Sequence, residues 1–219
     1  MLKVDFHTHT YRSKDSVTPI DQFITAARAS GLDRVVVTDH NTIRGALEAL
    51  EAAPEFVIPG EEVQTTEGEL LAAFVTKEVP RGLEPLEAVK SLKDQGAFIS
   101  VSHPFDPRRS GWRLETLEML VPLIDAIEIF NSRVMRARYN ELALEFAAKH
   151  NLPGTAGSDG HHPSEIGRAY LTISDFNDAE SLRTAIRLAK TGGRISSPFV
   201  HLYSTRAKLI KVLKPQSFN

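Results

Sequence analysis

The sequence predicts an α/β fold whose mostly parallel sheet closes, or nearly closes, into a barrel. Short apolar runs alternate with helical patterns along the whole chain, and the connections between them are short. Polar clusters follow most of the predicted strands. An open doubly wound sheet would concentrate its site at one switch point, so this recurrence favours a barrel, in which the chemistry takes place at one end.

The first half of the chain supplies four predicted strands and two helices. The first helix has clear start signals, with Thr18 as its cap, Pro19 at its first position and Asp21 closing a capping-box-like pair. A turn at Glu67 and Gly68 is expected to pair the third and fourth strands. The strands are predicted at residues 2–6, 34–38, 56–58 and 70–75, and the second helix over residues 43–50.

The second half continues the same alternation, and no linker divides it from the first. Strands are predicted at residues 97–101, 126–130, 155–157 and 169–173, and helices at 86–92, 114–120, 133–150 and 179–189. The last of these helices is expected to stop at Gly192 and Gly193. Residues 1–219 are therefore predicted to form one domain, with residues 195–219 as a packing extension. The lysine-bearing segment 207–213 is interpreted as a short packing helix, with a membrane-surface helix as the alternative.

Composition excludes several classes of protein. The apolar fraction of 42% and the charged fraction of 25% are typical of globular domains. A net charge of −2 argues against a nucleic-acid coat or a membrane-surface protein, because both need a basic excess. The chain has no cysteine, which excludes disulfides and thiol catalysis. No secretory leader and no apolar run of about 20 residues is visible, so a soluble cytoplasmic protein is expected.

Alternating polar residues at two strand ends suggest chelating pairs. His7 and His9 alternate along an extended chain, so their imidazoles point to the same side. Asp159 and His161 repeat this spacing near the end of a later strand. The alternative for the first pair is two exposed loop histidines. Asp15 lies in a polar loop, where it is either a ligand or a residue that stabilises the start of the following helix.

Three further clusters extend the pattern. His40 follows the second strand and is assigned as a ligand in preference to its neighbour Asp39, because adjacent residues on an extended end point apart. Glu61 and Glu62 follow the third strand, and one of them is expected to face the barrel centre while the other faces solvent. His103 follows a buried strand, just before a proline that fixes the chain.

The number of candidate ligands predicts more than one metal ion. Histidines with carboxylates and no cysteine suit divalent zinc, manganese or iron. One catalytic zinc typically takes three protein ligands, so the larger set implies two or three metals. Such a cluster generates hydroxide near neutral pH and clamps attacking and leaving oxygens, as phosphoester hydrolysis requires. The candidates are His7, His9, Asp15, His40, Glu62, His103, Asp159 and His161.

Taken in order, these motifs resemble those of the polymerase and histidinol phosphatase (PHP) family of metal-dependent phosphoesterases. The resemblance runs from residue 5 to about residue 173 and implies a distorted (β/α)7 barrel with a three-metal site at the carboxyl ends of its strands. It is carried by Asp5-Phe6-His7-Thr8-His9, Thr38-Asp39-His40, Pro59-Gly60-Glu61-Glu62, Ser102-His103-Pro104 and Gly157-Ser158-Asp159-Gly160-His161.

The resemblance also implies how the ligands are shared. The first metal would be held by four side chains, with Glu62 bridging to a second metal that His103 also holds. The third would be held by Asp15, His40 and His161. Many relatives carry a histidine at the position of Asp15, and many carry another in the strand where this chain has Glu69. Glu69 either replaces that histidine or faces solvent. The ligands implied for the first metal are His7, His9, Glu62 and Asp159.

The remaining candidates concern the substrate. Arg168 resembles an arginine that holds substrate phosphate, with a surface salt bridge as the alternative; it joins Asp15 and His161 as a candidate catalytic residue. Asn131 and Arg133 follow a strand end and are candidates to line the pocket. Arg136 is expected on a solvated helix face, and His150 and His201 are expected to be incidental.

The predicted function is metal-dependent hydrolysis of a small phosphomonoester or nucleotide by a metal-activated hydroxide. A 5′→3′ exonuclease acting on short oligonucleotides is the closest alternative. From another class, a non-catalytic metal-binding regulatory or accessory module is the rival. The expected partners are a small phosphorylated substrate or short oligonucleotide, with no membrane and no stable nucleic-acid partner, and the sequence does not indicate an oligomeric state.

Overall fold

Nine strands form one continuous sheet that curls into a nearly closed barrel. The computed structural model describes residues 1–109 and 111–214. The strands are β1 (Leu2–Thr8), β2 (Arg34–Val37), β3 (Val57–Gln64), β4 (Glu69–Ala73), β5 (Phe98–Val101), β6 (Ala126–Asn131), β7 (Gly154–Gly157), β8 (Ala169–Ile173) and β9 (Lys190–Gly193). Their order across the sheet is β7-β6-β5-β4-β3-β2-β1-β8-β9. The predicted barrel-like α/β fold is confirmed.

Seven α-helices pack around this sheet in the part of the chain that is described. They are α1 (Ile20–Ala29), α2 (Arg44–Ala52), α3 (Pro85–Lys93), α4 (Leu114–Leu120), α5 (Ala137–His150), α6 (Ala179–Ala185) and α7 (His201–Leu213). None of the helices among these residues is both long and apolar enough to cross a bilayer. The predicted extension is helical over α7, and its last residues, 215–219, lie outside the described part.

The sheet is mixed rather than fully parallel. β1, β2 and β3 pair in parallel, as do β5, β6 and β7, but β4 runs antiparallel to both of its neighbours. A tight turn accounts for this reversal: the Thr65 amide donates to the Gly68 carbonyl at 2.9 Å, and so short a link can only join antiparallel strands. β8 and β9 also run antiparallel to their neighbours.

The barrel closes between the chain just after β7 and the end of β1. The Asp159 amide donates to the His7 carbonyl at 2.7 Å, and the His9 amide donates to the Gly160 carbonyl at 3.0 Å. A side chain at Gly157 would collide with His7, so only glycine allows the two strands to come this close. Closure therefore brings two of the polar motifs face to face.

A local irregularity in β1 separates the apolar core from the polar end of the barrel. The register between β1 and β2 shifts between Asp5 and Thr8. Phe6 joins an apolar core that also contains Val36 and residues of α6, whereas the next residue, His7, lies in the polar cluster. Such a bulge redirects side chains, so two sequence neighbours can serve different layers of the interior.

Besides β3, which extends to Gln64 instead of ending at residue 58, three predicted element boundaries were wrong. Thr18 does not cap α1: its hydroxyl donates to the His161 carbonyl at 3.2 Å, and Pro19 occupies the cap position. Gly192 and Gly193 do not end a helix but lie within β9, where they pair with β8. α5 begins at Ala137 rather than at residue 133, because the preceding residues turn toward the polar end of the barrel.

Candidate metal centre

All eight predicted ligand side chains gather at the end of the barrel where its polar motifs meet. Four overlapping groups have ligand atoms within 4.8 Å of one another. Three groups contain at least two imidazoles: His9/His40/His161, His7/Glu62/His103 and His7/His9/Asp159. The fourth, His40/Glu62/Glu69, contains two carboxylates and one imidazole.

Several ligand atoms in this cluster are buried without a hydrogen-bond partner. Buried polar atoms almost always have one, because an unpaired group loses its hydration without compensation. Here the unpartnered atoms converge on one space, which is the arrangement expected of groups that bind a cation. They are His7 Nε2, His9 Nε2, His40 Nδ1, Glu62 Oε2 and Asp159 Oδ1. The donor set therefore fits divalent metal ions.

Glu62 lies at the centre of the cluster. Its Oε2 is 3.2 Å from His7 Nε2 and 3.0 Å from His40 Nδ1, and its Oε1 is 3.1 Å from His103 Nε2. Ser102 also donates its hydroxyl to Glu62 Oε1 at 2.9 Å. A carboxylate with histidines on several sides is placed to bridge two ions, as the family resemblance implied.

Asp15 reaches the cluster from its loop. Its Oδ1 lies 3.1 Å from His161 Nε2 and its Oδ2 lies 3.5 Å from His40 Nε2. The Ser13 hydroxyl donates to Asp15 Oδ1 and lies 3.2 Å from His9 Nδ1. The structure thus favours the ligand interpretation of Asp15 over the helix-start interpretation.

The sequence left two alternatives for Glu69, a ligand in place of a histidine or a residue that faces solvent, and its burial decides between them. Glu69 is 8% exposed, and its two oxygens lie 3.6 Å from His40 Nδ1 and 3.5 Å from His103 Nε2. It therefore faces the cluster rather than solvent.

The expectation that one of the paired glutamates faces solvent was wrong. Glu61 and Glu62 lie within β3 rather than after it, and both are fully buried. Glu61 accepts a hydrogen bond from the Val79 amide at 3.0 Å, on the side away from the cluster. Burial raises the pKa of Glu61 to about 7, so its buried carboxyl is partly protonated near neutral pH.

Glu128, on β6, was missed by the sequence analysis and orients two of the predicted ligands. Its Oε1 lies 3.0 Å from His7 Nδ1, and its Oε2 accepts from the His103 amide at 2.8 Å. A carboxylate behind a ligating histidine fixes the ring and its tautomer. The signal was a single acidic residue inside the otherwise apolar run 126–130.

Two buried aspartates hold the backbone of the ligand loops. Asp5 accepts from the amides of His7, Ser158 and Gly167, at 3.2, 2.9 and 2.9 Å. Asp39 accepts from the Thr10 amide at 2.7 Å and from its hydroxyl at 2.6 Å, and so faces away from the cluster. Burial raises the pKa of each aspartate to about 6. Both stabilise the local backbone that presents the histidines.

In the absence of metal, the surroundings shift the pKa values of the cluster histidines in opposite directions. Burial alone would lower the pKa of His7, but Glu62 and Glu128 raise it to about 10. Burial lowers the pKa of His161 to about 3, and burial together with His161 and His40 lowers that of His9. A cation must therefore displace a proton from His7, whereas His9 and His161 offer free lone pairs.

Two residues of the cluster adopt backbone conformations that are rare for their types. His103 has a φ of 22° and Asp159 a φ of 52°, both in the left-handed half of the map. Such conformations carry strain and persist where the surrounding structure holds them, often at functional sites. Here both place a predicted ligand beside the unpartnered atoms.

A cavity of about 420 Å³ opens onto the cluster, and cationic side chains form much of its lining. From the cluster, the lining includes Asp15, His40, Glu69 and His161. The cationic lining residues, called here the cationic wall, are Lys14, Arg108, Arg109, Arg133 and Lys208. Phosphate oxygens are recognised by side chains of this kind.

Arg133 and Arg109 connect this wall with the cluster. Buried Arg133 donates to the Asp159 carbonyl at 3.2 Å and lies 3.2 Å from Glu165 Oε2, and its Nε has no hydrogen-bond partner. Arg109 and Asn131 hold Asp159 Oδ2, which leaves Asp159 Oδ1 unpartnered. Arg133 lines the cavity, as predicted, whereas Asn131 does not: it is fully buried and contacts Asp159 instead. Arg109 was missed because nothing in its sequence context distinguishes it.

Two other expectations about the pocket differ from the structure. Arg168 does not line this cavity; it lines a separate surface depression and donates its Nε to the Ser164 carbonyl at 3.0 Å. His201, expected to be incidental, lines the cavity at the start of α7. Arg136 is exposed, as expected for a solvated position. α7 reaches the cavity through contacts between segments that are distant in sequence, and the local sequence does not predict such contacts.

Comparison with protein families gives two matches within this chain. Residues 5–79 match the PHP domain, and residues 137–191 match the PHP-associated family. MJ0417 of Methanocaldococcus jannaschii is 34% identical over 183 residues, which cover 80% of this chain and 72% of that protein.

Solved structures with low sequence identity share the fold. A proposed metal-dependent phosphoesterase from Bifidobacterium adolescentis superposes with a TM-score of 0.62 at 19% identity, covering 83% of this chain and 94% of that one. The lesion-specific endonuclease PfuEndoQ from Pyrococcus furiosus superposes with a TM-score of 0.65 at 18% identity, covering 90% of this chain and 59% of that one.

Proposed function

The chain belongs to the PHP family and is a metal-dependent hydrolase, and from that premise we propose that its substrates are small phosphoesters. The observation that carries the proposal is the set of unpartnered, buried ligand atoms beside a cavity that is also lined by the cationic wall. Bound cations and arginines in one cavity are the groups that bind the oxygens of a phosphoryl group. The Bifidobacterium neighbour supports the same class of reaction.

The contacts support the ligand roles that the family resemblance implied. His7, His9, Glu62 and Asp159 would hold one ion, with Glu62 shared toward His103, and Asp15, His40 and His161 would hold another. Bound divalent ions would neutralise charge on phosphoryl oxygens and lower the pKa of a water nucleophile. Glu128 and Asp5 keep His7 in place, so the site does not need to reorganise when an ion binds.

The cationic wall would position the substrate. Arg109 lies against Asp159, and Arg133 is fixed by Glu165 and by the Ser204 hydroxyl of α7 at 3.0 Å. The Arg133 Nε is buried and has no hydrogen-bond partner, while other atoms of the side chain line the cavity. A preorganised arginine binds phosphate without first losing side-chain freedom, which favours it over Arg168 for this role.

A small phosphomonoester or nucleotide fits the cavity better than a long strand. A volume of about 420 Å³ is at the low end of the range for small-molecule sites. A groove for a long nucleic acid would require basic side chains that continue beyond the cavity. The net charge of −2 gives the chain no excess of such side chains. Hydrolysis of short oligonucleotides is the second candidate, favoured by the fold shared with an endonuclease.

A substrate panel in added manganese tests the proposal. Mononucleotides, sugar phosphates and short DNA and RNA would be assayed with the chelator-stripped protein and again after Mn²⁺ is restored. We expect metal-dependent release of inorganic phosphate from small monoesters, at a higher kcat/KM than cleavage of oligonucleotides. Tight metal binding without turnover of any phosphoester would instead identify a non-catalytic metal-binding module.

A further inference from the structure

Helix α7 carries an apolar stripe on the side that faces away from the barrel. The stripe consists of Leu202, Leu209, Val212 and Leu213, which are between 59 and 77% exposed. Their spacing of three, four and seven residues places them on one side of the helix. Ala207, on the opposite side, is buried. Single exposed apolar residues are normal on a protein surface, but a contiguous group of them marks a surface that binds a partner.

The inner side of α7 is fixed by polar contacts around the cavity. The Ser204 hydroxyl accepts a hydrogen bond from the Arg133 guanidinium at 3.0 Å. The Lys211 ammonium donates to the backbone carbonyls of Tyr11 and Ser13. These contacts hold the helix with its apolar stripe directed outward.

The part of the chain that contains α7 is strongly basic. Residues 181–219 contain eight lysines and arginines and no aspartate or glutamate. The whole chain has a net charge of −2, so without these eight cations residues 1–180 carry a net charge of −10. The small total, which argued against a membrane surface, conceals this asymmetry. On α7 itself, Arg206 and Lys208 flank the apolar stripe and Lys214 follows its end, and all three are exposed.

Charge and shape distinguish the possible occupants of the stripe. A second copy that docked through the same stripe would bring two sets of these cations together, and juxtaposed like charges oppose binding. Nucleic-acid bases stack on aromatic rings rather than on leucine and valine. A protein partner would have to supply a groove for this convex helix face. A bilayer needs none, because aliphatic side chains enter the boundary of its acyl chains while lysine and arginine bind anionic headgroups.

We propose that α7 docks on an anionic lipid bilayer, with the apolar stripe inserted at the acyl-chain boundary and Arg206 and Lys214 bound to lipid phosphates. The inner side of α7 lines the cavity, so docking places the cavity close to the bilayer surface. The inference goes beyond the proposed function and does not depend on which phosphoester is hydrolysed.

Sedimentation of the full-length, metal-loaded protein with lipid vesicles tests the proposal. One set of vesicles contains equal parts of phosphatidylcholine and phosphatidylglycerol, and the other contains phosphatidylcholine alone. We expect the protein to sediment with the anionic vesicles at low salt and to remain in solution with the neutral ones. Binding should decrease as salt is added, because salt screens exposed charges.

Two double variants separate the apolar and the cationic contributions. Leu209→Gln with Val212→Gln should weaken binding to anionic vesicles by about tenfold or more, because both variants remove buried aliphatic groups. Arg206→Gln with Lys214→Gln should weaken it by roughly tenfold at low salt and reduce its salt dependence. None of these four residues lines the cavity, so metal content should stay at the wild-type level in both double variants.

Exposed residues on other helices supply matched controls. Leu144→Gln removes an exposed leucine from α5, and Lys90→Gln removes an exposed cation from α3. Both variants should bind anionic vesicles as wild type does. If the leucine–valine double variant does not fold by circular dichroism, the Arg206 and Lys214 double variant decides the question, because it leaves the stripe intact.

Three results would overturn the inference. The first is no sedimentation of wild type with anionic vesicles, or equal sedimentation of wild type and the leucine–valine double variant. The second is a lipid-free dimer that this double variant abolishes, which would assign the stripe to a second copy of the chain. The third is binding to polyglutamate but not to vesicles, which would assign it to an acidic protein. Vesicle binding is measured without turnover, so failure of the proposed hydrolysis would leave the inference standing.

Discussion

The buried ligand cluster and the cationic wall line one cavity, yet largely different parts of the fold supply them. The cluster comes from strand ends and the segments just after them, and buried carboxylates such as Glu128 and Asp5 fix its histidines. Most of the wall comes from the segment after β5, the segment after β6 and helix α7, although Lys14 lies in the loop after β1, next to Asp15. Lys208 is largely exposed. The strands thus supply the centre, and longer segments between them supply most of the cationic lining, for which we propose the contacts to the substrate.

This difference has a consequence for specificity. Of the two family matches, neither includes residues 80–136 or 192–214, which supply most of the wall but, of the predicted ligands, only His103. The cluster is accordingly expected to set the reaction and the wall to set the substrate. Loops and terminal segments held by a rigid scaffold commonly take this second role.

The largest effect is expected when a central ligand is removed. His7→Ala should lower kcat/KM by more than about 100-fold, because loss of an outer partner alone costs 10–100-fold and His7 belongs to two ligand groups. Metal content should fall in parallel. His150→Ala, at the end of α5 and outside the cluster, is the control and should retain both. Wild-type turnover in His7→Ala would contradict the expectation that the cluster carries out the reaction.

A smaller loss is expected when the support behind His7 is weakened. Glu128→Gln should reduce metal affinity by about 10–100-fold, because an amide no longer fixes His7 with a charged hydrogen bond. Metal titration by calorimetry measures this. Glu61→Gln provides the comparison, since Glu61 is an equally buried glutamate that contacts Val79 instead of a histidine. Equal losses in the two variants would show that burial, not orientation of His7, is responsible.

Metal affinity should also depend on pH. The pKa of His7 in the metal-free chain is raised to about 10, above its ordinary value, so the ring carries a proton at pH 7 that an ion must displace. Apparent affinity should therefore fall as pH decreases, by about tenfold per pH unit for each displaced proton. Calorimetry at pH 7 in buffers of different ionisation enthalpy counts these protons. Binding without proton release would contradict the charge assigned to His7.

The smallest effect is expected in the wall. Arg109→Lys should raise KM by roughly three- to tenfold while metal content stays unchanged, because lysine keeps the charge but not the two-pronged contact with phosphate. Arg138→Lys, exposed on α5 and paired with Glu145, is the control and should leave KM unchanged. A fall in bound metal in Arg109→Lys would instead assign Arg109 to the cluster through its contact with Asp159.

The sequence indicated the cluster better than the wall, for physical reasons. His7, His40 and His103 each end or follow a strand, and parallel strands bring their carboxyl ends to one edge, so local order predicted a shared site. No feature of the sequence predicted that β8 and β9 would run antiparallel to their neighbours.

The residues that were misjudged depend on contacts between distant segments. The Thr18 hydroxyl binds the carbonyl of His161 instead of capping α1, and His201 reaches the cavity only because α7 folds back across the barrel end. Arg168 has a suitable neighbouring motif but lines another surface. Glu61 shares its motif with Glu62, and only the pairing of β3 with β4 shows that both are buried.

The strand-end cluster is proposed to bind several divalent ions and to use them for hydrolysis. The most direct test is a titration of chelator-stripped protein with Mn²⁺ in which bound ions and phosphate release from a small monoester are measured on the same samples. The account predicts saturation at two or three ions per chain, with turnover appearing as the sites fill. Saturation below two ions, or turnover that is unchanged by stripping, would contradict it.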